Sequence, residues 1–89
     1  MTKTITPIIH LNGTGLEALA EQLEKSCRAI RAAEEALAEG APHARDYYPH
    51  CDRSAFEIAR EQHWARLEKL QVVRSELELI WEAIEEERR

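Results

Sequence analysis

Residues 38–57 read AEGAPHARDYYPHCDRSAFE, and the fold turns on how this stretch is divided. Gly40 can supply the left-handed residue that ends a helix, and Pro42, lacking an amide hydrogen, prevents the helix from resuming. Fourteen positions on from Gly40, Ser54-Ala55-Phe56-Glu57 has the form of a capping box, in which a serine hydroxyl and a glutamate carboxylate satisfy two amides of a helix start. The stretch therefore predicts one helix ending at 40, a connecting loop over 41–53 and a second helix from 54.

Working back from Gly40, Leu16, Leu19, Leu23, Ile30, Ala33 and Leu37 recur at steps of three and four, broken only at Ser26. That spacing puts one apolar face on a helix. Thr14-Gly15-Leu16-Glu17 repeats the capping-box form, so the first helix is expected over 14–40. Glu21 with Lys25 and Glu24 with Arg28 have the spacing of ion pairs on its outer face.

Working forward from Ser54, a matching seam is expected through Phe56, Ala59, His63, Leu70, Val73, Leu77, Ile80 and Ile84, over a helix 54–87. His63 on this seam reads as a buried histidine with a hydrogen-bond partner. Ile58, Val72 and Leu79 form a second row, and with Leu67 and Trp81 they give this helix more apolar surface than one partner can cover. The fold class is all-α: an antiparallel two-helix hairpin in a single domain over 1–89, with a short extended N-terminal segment over 1–13. So small a core does not offset an ordering entropy of roughly 1.5 kcal/mol per residue, so a homodimer or higher assembly is expected through Ile58, Leu67, Val72, Leu79 and Trp81. The second helix is about 12 Å longer than the first, and Ile5, Ile8, Ile9 and Leu11, read as an edge strand with Pro7, together with the same region of another subunit, are expected to cover the excess.

Composition narrows the function. Of the 89 residues 44% are apolar and 33% charged, which is the balance of a folded, water-soluble chain. A net charge of −5 supplies no basic excess to displace counterions from phosphates, so non-specific nucleic-acid binding is not expected. No run approaches the roughly 20 apolar residues of a membrane span, and the first twelve residues lack the pattern of a secretion signal, so a cytoplasmic protein is expected. Cys27, inside the first helix, falls about 18 Å along it from the turn that holds Cys51, which rules out the Cα separation of under about 7 Å that a disulfide needs.

The loop APHARDYYPHCDR is longer than an ordinary connection and concentrates chemistry. Tyr47 and Tyr48 can stack on a flat ligand, and Arg45 and Arg53 can fork onto phosphate or carboxylate. Asp46 and His50 complete the candidate set. The alternative is structural, with the tyrosines plugging the open end and Arg45 and Asp46 capping helix ends. His43, His50, Cys51 and Asp52 lack the spacing of a zinc knuckle, so no metal and no cofactor is expected. A Cys-His nucleophile needs an oriented base in a shaped pocket, which two helices offer poorly, so the chain is not read as an enzyme.

At the other pole, Asn12 and Thr14 precede the first turn of the first helix, whose free amides suit an anion. Helix 1 separates the two features by about 37 Å, so they can share a ligand only where one subunit's loop meets its partner's helix start in a head-to-tail dimer.

Ile-His-Leu-Asn-Gly-Thr at 9–14 and Arg-Asp-Tyr-Tyr-Pro at 45–49 resemble a family of small, mostly uncharacterised proteins encoded in phages and prophages. The resemblance implies a viral accessory role in the host cytoplasm. In size and architecture the chain is also similar to viral helical hairpins that sequester nucleotide signals, an analogy that transfers no residues. The reading is a binding protein that sequesters a nucleotide-like or other small anionic ligand at an oligomer interface, with an inhibitor or adaptor of a host defence protein, acting through the apolar surface of helix 2, as the alternative.

Overall fold

A computed structural model describes residues 3–88, and among these every regular element is a helix: α1 (Leu16–Glu39), α2 (Ala44–Tyr47) and α3 (Ala55–Glu87). Met1, Thr2 and Arg89 lie outside the described residues, and with the first two the start of the expected N-terminal segment. The molecule measures 62 × 26 × 20 Å, a rod set by the length of α3, about 50 Å at 1.5 Å per residue.

Contacts between α1 and α3 run in opposite order along the two helices. The Leu37 carbonyl meets His63, Glu34 meets Arg74, and Glu17 meets Arg88, which caps α3. These pairs fix the offset. Helix α3 extends past α1 only at its own start, where Tyr47 of α2 sits against Phe56 with ring centroids 6.3 Å apart. The excess length of α3 is thus met by α2, not by Ile5 to Leu11, which lead into the opposite end; no strand forms among the described residues.

The seam is more regular than the row of leucines suggests. On α1 the inward positions are Leu16, Ala20, Leu23, Cys27, Ile30, Glu34 and Leu37; on α3 they are His63, Leu67, Leu70, Arg74, Leu77, Trp81 and Ile84. Both sets advance by alternating threes and fours, the seven-residue repeat of helices that wind around each other. Ala20, Cys27, Leu67 and Ile84 are its buried apolar members, with Ile84 only 1% exposed. Ala33 and Val73 were expected in this seam and are instead exposed, because each falls outside the three-four alternation. Leu67, expected at an oligomer interface, is 7% exposed and belongs to the core.

Two seam positions are charged. The Arg74 guanidinium forks onto both carboxylate oxygens of Glu34, one contact at 3.2 Å, and also reaches Glu78, which Arg31 approaches at 3.5 Å. Glu34 is buried. Its hydrogen bonds, ahead of those from Glu78, hold the guanidinium pKa above its ordinary value. Such a pair adds little net stability over an apolar pair, since both charges leave water, but either charge left alone is costly, so the pair fixes which turns of α1 and α3 face each other. Among the described residues no buried side-chain nitrogen or oxygen lacks a hydrogen-bond partner.

The helix ends depart from the expected caps. Helix α1 has Gly15 at its N-cap in extended conformation, and neither Thr14 nor Glu17 closes a box. Ser54 makes no side-chain cap on α3; its amide and hydroxyl both donate to Asp52 Oδ1, at 2.9 and 2.7 Å. A residue two positions upstream has taken the hydroxyl that the box needed. Gly40 has φ −91°, so α1 does not end through a left-handed residue. Instead the Gly40 amide donates to the Ala36 carbonyl, and the Leu37 carbonyl is satisfied from α3 by His63. The expected Glu24–Arg28 pair forms, at 2.6 Å.

Candidate functional site

The candidate site is the tip where α2 folds over the start of α3. It is built by short-range hydrogen bonds of the loop's own side chains. His43 precedes α2 and its Nδ1 accepts the Arg45 amide at 3.2 Å, while the Asp46 amide donates to the His43 carbonyl. His50 repeats the device, its Nδ1 accepting the Asp52 amide at 3.1 Å. With Nδ1 accepting, the ring proton of each neutral imidazole sits on Nε2, so both histidines turn a donor outward. Asp52 then receives Ser54, and these hydrogen bonds, with His50 nearby, hold its carboxyl below the usual aspartate value. Pro49 falls between the two histidine turns, where an amide is not required.

These turns enclose an open depression of about 620 Å³ lined by Tyr47, Tyr48, His50, Cys51, Arg53 and Phe56, among others. The aromatic rings differ in role. Tyr47 is half-buried against Phe56, which is the plug anticipated for the open end, whereas Tyr48 is 88% exposed and free to stack. Arg53 lines the depression and carries no ion pair among the described residues. Cys51 is a free, exposed thiol at its rim.

Of the residues singled out in the sequence, the structure gathers Tyr47, Tyr48 and His50 at this site. Arg45 and Asp46 are exposed on α2 but do not line the depression, whereas Tyr47, which packs on Phe56, and the exposed Tyr48 do. Arg53, Cys51 and Phe56 take their place. Asn12 and Thr14 are exposed at the far end of α1, about 36 Å away, and cannot reach the tip within one chain. From the sequence Phe56 reads as a seam residue; its position beyond the end of α1 becomes visible only once the offset of the helices is known.

A second depression, about 540 Å³, lies between α1 and α3 and is lined by Cys27, Arg28, Arg31, Glu78, Trp81 and Glu82, among others. Its two arginines are paired, Arg28 with Glu24 and Arg31 with Glu78, and the Trp81 indole donates to Glu85 at 3.0 Å. Burial, with Glu78 beside it, pushes the Cys27 thiol above its ordinary pKa against the opposing pull of Arg74 and Arg31. Trp81, expected at a subunit interface, therefore faces α1 and this groove. Cys27 and Cys51 are both free. No group of three or more His, Cys, Asp or Glu among the described residues is placed to hold a metal ion, and no described helix is long and apolar enough to cross a membrane.

No protein family, curated protein or solved structure matches this chain.

Proposed function

We propose that this chain is a non-catalytic binding protein, an antiparallel helical hairpin that self-associates through the back of α3 and takes a flat, anionic small molecule of the nucleotide class at its tip. The observation that carries the reading is the tip itself. Tyr48 offers an exposed ring for stacking, Arg53 an unpaired guanidinium for phosphate, and His50 an outward Nε2 donor, around one depression. In this reading Arg45, Asn12 and Thr14 are at most contributors from a second subunit. The resemblance to small phage proteins adds a setting, sequestration of a signal in a host cytoplasm.

Thermal-shift and calorimetric titration against nucleoside phosphates, cyclic di- and trinucleotides and NAD-derived nucleotides tests it. Saturable binding that Tyr48→Ala and Arg53→Ala each abolish supports the reading, and a folded chain that binds none of these overturns it. A second reading, an inhibitor or adaptor that docks on a host protein, is favoured by Ile58, Val72 and Leu79, which are 44%, 54% and 50% exposed. Competition decides between them: a chain whose α3 surface is occupied by its own second copy has no such surface to offer.

A further inference from the structure

Ile58, Ala65, Val72 and Leu79 recur every seven residues on α3, and all four are exposed. A seven-residue step returns to within about 20° of its starting direction on a helix, so the four form one nearly straight row. Leu67 and Arg74, each two positions beyond a member of the row, point about 200° away, into the seam with α1. The row is therefore on the back of α3, where α1 cannot reach it. Its period is the one that a second helix meets in successive layers.

The flanks of the row identify the partner and its direction. Three residues beyond each member stand Glu61, Glu68, Ser75 and Glu82; four beyond stand Gln62, Lys69, Glu76 and Ala83. When two copies pair in the same direction about a two-fold axis along the helices, the first flank of one faces the second flank of the other. Glu68 then meets Lys69 twice, and the remaining meetings are Glu61 with Gln62, Ser75 with Glu76 and Glu82 with Ala83, with no like charges opposed. When two copies pair in opposite directions, with Ile58 facing Leu79 and Ala65 facing Val72, each flank faces itself. Glu68 then opposes Glu68, and Lys69 opposes Lys69.

We infer that the row on the back of α3 is the docking surface for a second copy of this chain, parallel and in register. The inference rests on the proposed self-association and gives it a geometry. Parallel pairing sets both tips at one end of the dimer, so that two copies of Tyr48, Arg53 and His50 flank the axis beyond the Ile58 layer. A tip meeting the partner's Asn12 and Thr14 requires the opposite direction, which the charges disfavour.

Cysteine cross-linking separates the arrangements. In a Cys51→Ser background, which removes the exposed thiol and leaves Cys27 buried, Leu79→Cys and Ile58→Cys are prepared singly and oxidised gently. Parallel pairing brings each new thiol against its own copy, so each variant alone shifts from monomer to disulfide dimer on a non-reducing gel. Adding Glu68→Lys to Leu79→Cys reduces the dimer band, and adding Lys69→Glu as well restores it. Opposite pairing leaves positions 58 and 79 of like copies about 31 Å apart, beyond the roughly 7 Å Cα limit, and cross-links only a mixture of the two variants. A dimer that cross-links only in the mixture overturns the parallel geometry while leaving self-association and the tip site standing. A wild-type chain that sediments as a monomer at every concentration overturns both the docking surface and the self-association beneath it.

Discussion

Replacing His63 by leucine removes one hydrogen bond while keeping a side chain of similar bulk in the seam, so its effect reports what the imidazole does. His63 Nε2 lies 2.6 Å from the Leu37 carbonyl oxygen, and since a carbonyl only accepts, the ring donates from Nε2. Leu37 is in the last turn of α1, where carbonyls have no amide of their own helix to receive, and Pro42 bars the chain from supplying one further on. His63 is buried, so water does not readily replace it. A buried acceptor left without a donor costs about 1–3 kcal/mol, and the leucine returns part of this as apolar contact. A net loss of about 1–2 kcal/mol lowers the melting temperature of a chain this size by roughly 5–15 °C. His63→Gln, whose amide nitrogen reaches close to the Nε2 position, loses less than half of that. The assay is far-UV circular dichroism on heating, at one fixed protein concentration, because the proposed self-association makes the midpoint concentration-dependent. If His63→Leu melts at or above wild type, or His63→Gln is as damaged as His63→Leu, the imidazole is not the cap of α1.

The charged layer of the seam gives a second expectation. Glu34→Leu and Arg74→Leu each strand one charge and destabilise the chain, whereas the double variant recovers most of the loss; chemical denaturation of the three, read as a mutant cycle, checks it, and strictly additive losses refute the pairing. A third expectation concerns the thiols. Cys51 reacts promptly with a disulfide reagent, while Cys27, whose burial pushes its thiol above the ordinary thiol pKa, reacts only on unfolding or at more alkaline pH. Because the folded chain favours the protonated thiol, the contribution of Cys27 to stability is complete below that value and is lost as pH rises through the folded pKa, so mass spectrometry of alkylated samples across that range should show Cys27 labelling together with unfolding.

Most of the helical content was legible because it rests on a local signal. Leucines at three-four spacing and the break at Gly40 and Pro42 place α1 and α3 to within a residue or two of their ends. The caps were not legible, since Thr14 and Ser54 fit a pattern that competes with other local hydrogen bonds, and at Ser54 the carboxylate of Asp52 wins. The seam was read too narrowly for a physical reason. Scoring only apolar residues discards Glu34 and Arg74, whose charges are tolerable inside because each answers the other across two helices, a relation that no single helix displays. It also hid Leu67 in plain view, since without Arg74 the alternation 63, 67, 70, 74, 77 is broken. At the tip, the residue types were visible but not their roles. Arg53 lines the depression and Arg45 does not, a difference set by the turns of the loop and not by residue type.

Within one chain, the buried apolar residues among those described are Ala20, Cys27, Leu67 and Ile84, while four aliphatic side chains of α3, Ile58, Val72, Val73 and Leu79, stand about half exposed. Each such residue gains roughly 1.5–3 kcal/mol on complete burial, and about half of that is still to be had at Ile58, Val72 and Leu79. In the proposed parallel dimer a second copy supplies it in one step, because the row presents the same residues at the same heights on both chains and Glu68 and Lys69 close its flanks. Stability and tip geometry are then linked. Ile58 stands only two residues beyond Phe56, which packs on Tyr47, so covering the row stiffens the turn of α3 on which the tip is built. Ligand affinity should therefore fall together with dimerisation when Val72 is replaced by Asp, some 24 Å of helix from the tip and in contact with nothing there. An affinity unchanged in a chain made monomeric by Val72→Asp would show that the tip is complete in one copy and that the two properties are independent.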